Sequence, residues 1–390
     1  MTDASEKPGK SEDVASLAAA GEFDPGDREL VSKPPPPPDP FEGRWVPVSD
    51  RTDSEGRHWL AEDRAPLPPR YLLTRWREAH DGKPGAWVGA VPLGRVGMLA
   101  AGGGQGKSWA LCQLALCVAA GVDWLGTFKV VKEGRVLLAL AEEEEEELQR
   151  RLYYGARALG LGTQQRDTAA DRIVALPMAG RAVALTYSPA ELQAQGHVPG
   201  LGQLPETEFA QAIRAKLATA DDWRLIVLDP ISRFAGPDVE VDNAAATRFV
   251  QTLESLTRAP GNPTLMVAHH TAKATRGEGS AGSEAGAARG ASGLTDAVRW
   301  QANLVPVTGE ADYLELVPSK SNYAKVGARV LLKRAEHGEL KPVDPLDPVA
   351  VRIREKREAK REGRSIGGDP PAASRSAQGR GSQLFSVKDP

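Results

Sequence analysis

Val96-Gly-Met-Leu-Ala-Ala101 is an apolar, strand-like run that passes directly into Gly102-Gly-Gly-Gln-Gly-Lys-Ser108 and then into the apolar stretch Trp109 to Ala120. Glycines let consecutive backbone N–H groups turn inward on a phosphate. A helix opening behind them presents its positive N-terminal end to the same anion. In such a loop Lys107 reaches the β and γ phosphates and Ser108 binds Mg²⁺. The stretch Ala101 to Ser108 therefore reads as a P-loop with alanine in place of the first glycine. It assigns Gly102, Gly103, Gly104, Gln105, Gly106, Lys107, Ser108 and Trp109 to nucleotide binding, with ATP and Mg²⁺ as the implied ligands.

Outward from the loop, and from about Tyr71 onward, apolar strand-like runs alternate with helical ones. Strands are expected at Val96–Ala101, Arg135–Ala141, Arg224–Asp229 and Thr264–His269. Helices are expected at Lys107–Ala120, Glu146–Leu159 and Ala244–Leu256, the last with Phe249, Leu253 and Leu256 on one face. Continuous apolar strands separated by such helices belong to a mostly parallel sheet covered on both faces. Tyr313–Val317 and Ala328–Lys333 have no helix between them and are expected as an antiparallel extension. The fold class is α/β: a P-loop NTPase core with a mostly parallel sheet, an antiparallel extension and disordered termini.

Nucleotide hydrolysis needs a carboxylate near the metal, a base that orients water and a group that senses the γ phosphate. Asp229 ends the apolar strand Leu225-Ile-Val-Leu228, at the sheet edge where doubly wound folds bind ligands, and is the expected second Mg²⁺ ligand beside Ser108. Glu142 follows the strand Val136-Leu-Leu-Ala-Leu140 and is the first candidate for the base, with Glu143 as its alternative within the acidic run Glu142 to Glu147. The rest of that run suits a helix N-terminus, with Glu146–Arg150 and Glu147–Arg151 spaced as solvated i, i+4 pairs. His269 and His270 close the fourth strand and face opposite sides, so one meets the nucleotide and the other the interior.

The 390 residues include 40 glycines and 30 prolines, and aromatic residues supply only 5%, so part of the chain is loop-rich. The prolines concentrate in the first seventy residues, where Pro34 to Pro38 favours polyproline II backbone and no period persists. That arm, residues 1–69, reads as largely disordered, with Trp45, Val46, Val48, Trp59 and Leu60 as an alternative docking patch. Residues 1–63 hold 15 acidic and 7 basic side chains, whereas 350–390 hold 10 basic and 5 acidic, so the two ends differ in sign under a net charge of −3. From 346 to 390 the sequence reads as a basic helix, Arg352 to Arg364, that is solvated or else meets DNA or a partner's acidic arm, fading into a disordered tail. Two cysteines, Cys112 and Cys117, exclude a disulfide scaffold and point to a reducing, cytoplasmic compartment. No apolar run is long enough to cross a bilayer.

The order of motifs resembles the RecA-like core of the hexameric RepA-type plasmid replicative helicases, within the AAA family P-loop ATPases. The matching pieces are the P-loop, Ala141-Glu-Glu143 with Arg151, Arg224-Leu-Ile-Val-Leu-Asp-Pro-Ile-Ser-Arg-Phe234, Ala268-His-His-Thr-Ala-Lys273, Ala288-Arg-Gly-Ala-Ser292, Val298-Arg-Trp-Gln301 and Ser319-Lys-Ser-Asn-Tyr323, across an ATPase domain set at residues 70–345. The resemblance implies Glu142 as catalytic base, Asp229 as Walker B carboxylate and His270 or His269 as sensor. It further implies Arg299 as an arginine finger reaching a neighbouring subunit's nucleotide, with Lys320 as a weaker inter-subunit contact. It also implies a homo-oligomeric, hexameric ring acting on single-stranded DNA; the arm and tail, which the resemblance does not cover, are candidate sites for replication partners. Thr271 to Ser292, rich in small residues and carrying Lys273, Arg276 and Arg289, is then the DNA-tracking loop. The other channel loop, Phe234 to Asn243, carries Asp238, Glu240 and Asp242 and would repel phosphate, with Asp242 or Asn243 capping the next helix. Two alternatives to the motor remain: a nucleotide-switched regulatory or assembly ATPase, and a RecA-like recombinase.

Overall fold

The computed structural model describes residues 51, 70–79, 83–194, 205–236, 239, 243–270 and 292–362. The strands are β1 (Tyr71–Arg77), β2 (Ala86–Pro92), β3 (Val96–Ala101), β4 (Phe128–Val130), β5 (Arg135–Leu140), β6 (Ile173–Pro177), β7 (Trp223–Asp229), β8 (Thr264–His270), β9 (Trp300–Val307), β10 (Glu310–Ser321), β11 (Val330–Arg334) and β12 (Leu340–Pro342). The helices are α1 (Lys107–Ala120), α2 (Glu145–Ala158), α3 (Thr163–Arg172), α4 (Pro189–Ala194), α5 (Glu208–Leu217), α6 (Ile231–Phe234), α7 (Asn243–Leu256), α8 (Ser292–Ala297) and α9 (Pro348–Arg361).

Nine strands form the main sheet in the order β12-β11-β10-β9-β3-β8-β7-β5-β6. From β9 to β6 every pairing is parallel, and β10, β11 and β12 add on antiparallel. The expected mostly parallel sheet with an antiparallel extension is therefore present. Its strands are apolar throughout because they feed two cores. Leu99, Leu138, Val227 and Ala268 pack with α1, α2 and α3 on one face. Met98, Leu137, Leu228 and Val267 pack with α5 and α7 on the other. Alternate residues point to opposite faces, so each strand must be apolar at both parities.

Two parts depart from the sequence reading. The first strands after residue 70 do not alternate with helices: β1, β2 and β4 make a separate three-stranded antiparallel sheet, β2-β1-β4, with Trp76 directly opposite Trp87. Between α2 and β7, where periodicity assigns nothing, lie α3, β6, α4 and α5. The reason is visible in α3, Thr-Gln-Gln-Arg-Asp-Thr-Ala-Ala-Asp-Arg, which buries only Ala169 and so carries almost no apolar stripe.

The antiparallel extension curls over α1. Gln113 of α1 donates Nε2–H to the Leu340 carbonyl and accepts the Leu340 N–H, both at 2.9 Å, so β12 and α1 are tied by a buried reciprocal pair. The basic helix expected near the C-terminus is α9, capped by Asp347, whose carboxylate accepts the Val349 N–H at 2.8 Å. It is not simply solvated. Arg357 meets Glu315 of β10, Arg352 meets Glu310, and Val349 and Ala359 are buried. Apart from Arg51, the arm lies outside the described residues, as does the tail beyond Glu362.

Candidate nucleotide site

β3, β8, β7 and β5 all end at one edge of the sheet, with Ala101 paired to His270 and Leu140 paired to Asp229. This is the edge where parallel α/β sheets hold ligands. The chain leaves β3 through glycines, of which Gly104 (φ 71°) and Gly106 (φ 88°) take left-handed backbone that other residues resist. Helix α1 then begins at Lys107.

Around this turn the structure brings the expected residues together. Lys107 Nζ donates to the carbonyls of Ala101 (3.1 Å) and Gly102 (3.2 Å) and lies 3.3 Å from His270 Nδ1. Gln105 Oε1 accepts the Gly102 N–H at 2.8 Å, so that side chain folds back across the loop. A pocket of about 300 Å³ is lined by Gly104 to Trp109, Glu142, Glu143, Asp229, His270 and the arginines Arg151 and Arg334. Strand parity explains the histidines: His270 shares the α1 face with Ala268 and enters the pocket, whereas His269, 1% exposed, faces the other core.

Asp229 is buried, and burial raises its proton affinity, opposed by the Ser108 hydroxyl and by the charges of Lys107 and Arg151. Its Oδ2 has no hydrogen-bond partner among the described residues. A buried carboxylate oxygen left unpaired is costly, and here it sits beside a hydroxyl. Two hard oxygen donors of this kind fit Mg²⁺, which takes one or two protein ligands and completes its shell with water and phosphates.

The two candidate bases stand differently. Glu142 is half exposed and meets Arg233 Nε at 3.2 Å. Glu143 is more enclosed and pairs with Arg151 at 2.7 Å; burial pushes its proton affinity up and Arg151 opposes the shift. Arg151 also bonds Glu147 at 2.7 Å, which is the expected i, i+4 pair. The other expected pair is replaced, because Arg150 turns to Glu147 at i, i+3 rather than to Glu146. Nor is Arg151 a solvated helix residue: its side chain is 13% exposed and lines the pocket.

Three features here had no signal in the sequence. Arg334, 230 positions from the P-loop, donates to the Gly104 carbonyl at 3.0 Å. The turn between β11 and β12 docks on the helices, with His337 stacked on Tyr154 at 3.7 Å and Arg150 donating to the His337 carbonyl. Gly338, at φ 105°, lies so close to Trp109 that a Cβ would collide with the indole. Trp109 itself is 8% exposed, with the Arg150 and Arg151 guanidinium groups 5.4 and 5.8 Å from its ring centre. All three follow from the extension curling over α1, which no local pattern reports.

Arg299 is not in this pocket. Its N–H bonds the Val96 carbonyl, at the amino end of β3. The six-residue strand puts about 16 Å between that point and the P-loop. Its side chain lies 3.8 Å from Glu254 and lines a separate 320 Å³ pocket with Arg95, Arg258 and Tyr323. Lys320 is next to it and donates to the Thr295 and Asp296 carbonyls at 2.8 and 2.7 Å, with burial lowering its proton affinity. Asn243 Oδ1 accepts the Gly293 N–H at 3.0 Å, joining α7 to α8. Residues 271–291 with Lys273, Arg276 and Arg289, and Asp238, Glu240 and Asp242 of the preceding loop, lie outside the described residues.

Solved structures with a similar course include the "ATPase Domain of G40P", 12% identical over 64% of this chain and 85% of that one with a TM-score of 0.43. Another is the RadB recombinase, 15% identical over 65% and 92% with a TM-score of 0.40. The AAA domain model matches residues 81–276, which run from before β2 past β8 and contain the P-loop, both candidate bases, Asp229 and His270. With half of its length matched and the P-loop, acidic strand ends and His270 in one pocket, this chain belongs to the AAA domain family of P-loop ATPases.

Proposed function

We propose that the chain is an ATP-hydrolysing ring motor of the replicative DNA helicase type, acting on single-stranded DNA. The observation that supports a trans-acting ring is the position of Arg299. It stands at the opposite end of β3 from the P-loop of its own chain, too far to reach that chain's phosphates, beside an open pocket. An arginine placed so serves a neighbouring copy's nucleotide, where its planar charged fork offsets charge on the transferring phosphoryl group.

In this reading Lys107 leaves its resting carbonyl contacts for the β and γ phosphates, a move that also frees His270 from the ammonium group. Ser108 and Asp229 would hold Mg²⁺, which would offset the charge of the phosphate oxygens. Glu142 orients the attacking water, and Arg151 holds Glu143 beside it. His270 reports the γ phosphate to β8, and the chain that follows β8 is the segment expected to track DNA. RepA-type specificity, a hexamer and replication partners belong to the same proposal. It is tested by strand displacement from a forked duplex. ATP-dependent displacement that is lost in Lys107→Ala is expected. ATP-dependent oligomer change with no binding to single strands would make the protein a regulator instead.

A further inference from the structure

Away from the nucleotide site, a groove of about 1480 Å³ is bounded by β1, β2, the β10–β11 connection and α9. Its size exceeds what a small-molecule pocket needs and suits an extended ligand. Its lining carries six cations against two carboxylates, Glu78 and Glu358. Arg329 and Arg357 are already paired with Glu315, whereas Arg77, Lys325 and Arg354 have no carboxylate partner among the described residues. Arg75 is packed in among them, bonded to the Ala328 carbonyl. Cations gathered without counter-charges are the electrostatic complement of a polyanion.

Aromatic rings stand at the same place. Trp76 lines the groove and is 46% exposed; Trp87, opposite it on β2, is 48% exposed. The two rings meet edge to face, 5.8 Å apart, and Lys129 of β4 lies 5.3 Å from the Trp87 ring centre. The interior tryptophans Trp124, Trp223 and Trp300 are fully buried, so exposure of this pair is not the rule in this chain. Exposed rings on a strand pair beside a basic groove are the two parts of a single-strand site: cations follow the backbone and rings stack on bases.

We propose that this groove, with Trp76 and Trp87 at its rim, binds single-stranded nucleic acid outside the segments implied by the resemblance. The proposal rests on the reading of the chain as a DNA-acting motor and adds a second contact to it. It gives α9 a role, since Arg354 joins Arg77 across the groove. An acidic peptide would satisfy the cations but would leave the exposed indoles without stacking partners.

The test is binding of a fluorescein-labelled oligothymidylate by the full chain across a salt series, together with quenching of tryptophan emission and ATP turnover. Trp76→Ala is expected to weaken binding about tenfold, with Trp76→Phe retaining most of it. Arg77→Gln combined with Arg354→Gln is expected to lower the slope of log affinity against log salt by about 1.4. Turnover without DNA should stay at the wild-type level in each variant, which also reports that the variant is folded. Wild-type affinity in all the variants would overturn the groove while leaving DNA-stimulated turnover, and so the motor, standing. Loss of assembly in the variants would make the groove an interface between copies, and equal competition by polyglutamate would make it a peptide site; either result overturns the proposal. A wild-type protein that neither binds the oligonucleotide nor responds to it in turnover would remove the motor reading as well.

Discussion

The roles proposed for Asp229 and Glu142, on neighbouring strand ends, are separated by single substitutions. Asp229→Asn keeps the shape of the buried group but removes the charge that faces Ser108. Nucleotide affinity should then lose its dependence on Mg²⁺ while metal-free binding persists, as read by titration of a fluorescent ATP analogue with and without the metal. Glu142→Gln should retain nucleotide and lower turnover by about 10² to 10⁴, the range for a positioned base. Glu143→Gln should cost less, because that carboxylate is engaged by Arg151. A larger loss at Glu143 would exchange the two roles. Arg334 offers a third test: its bond to the Gly104 carbonyl puts a cation at the lip of the P-loop. Arg334→Ala should weaken nucleotide binding about tenfold, the weight of one charge-assisted hydrogen bond.

Among the elements, α2 and α9 show what local sequence reports and what it omits. The start of α2 was legible because acidic side chains favour a helix N-terminus. The partner of each arginine was not, since it depends on which side chains the pocket draws inward. Glu147 accepts hydrogen bonds from Arg150 and Arg151, and those from Arg150 do most to hold its proton affinity below the usual carboxylate range. A lowered folded-state value means stability that is present above the unfolded carboxylate value and lost as pH falls through the folded one. Glu147→Gln should therefore cost up to about 1 kcal/mol at neutral pH. The gap from wild type should close in acid, which thermal melts across pH will check. For α9, the charge pattern gave the helix, while its seat came from Glu315, nearly buried on β10 and shared by Arg329 and Arg357. Glu315→Ala leaves both arginines unpaired and should cost about 2 kcal/mol, against about 1 kcal/mol for Arg357→Ala, by denaturant melts.

For the whole molecule, the parallel half was readable because each βα unit carries its own apolar period and the P-loop fixes where the first one ends. The separate sheet β2-β1-β4 and the curl of β11 and β12 over α1 were not, because both rest on pairings between distant residues such as Gln113 with Leu340. The position of Arg299 likewise emerges only from sheet order, and it yields a test of assembly. Lys107→Ala and Arg299→Ala should each be inactive alone. In an equal mixture about a quarter of head-to-tail interfaces would join an intact Lys107 to an intact Arg299, so turnover should recover to about that fraction. No recovery would place Arg299 outside the neighbour's site. The most direct measurement of the account is steady-state ATP turnover of the full chain titrated with oligothymidylate. Turnover that rises with the single strand and vanishes in Lys107→Ala is expected; Lys107-dependent turnover that is indifferent to the strand would contradict the DNA motor.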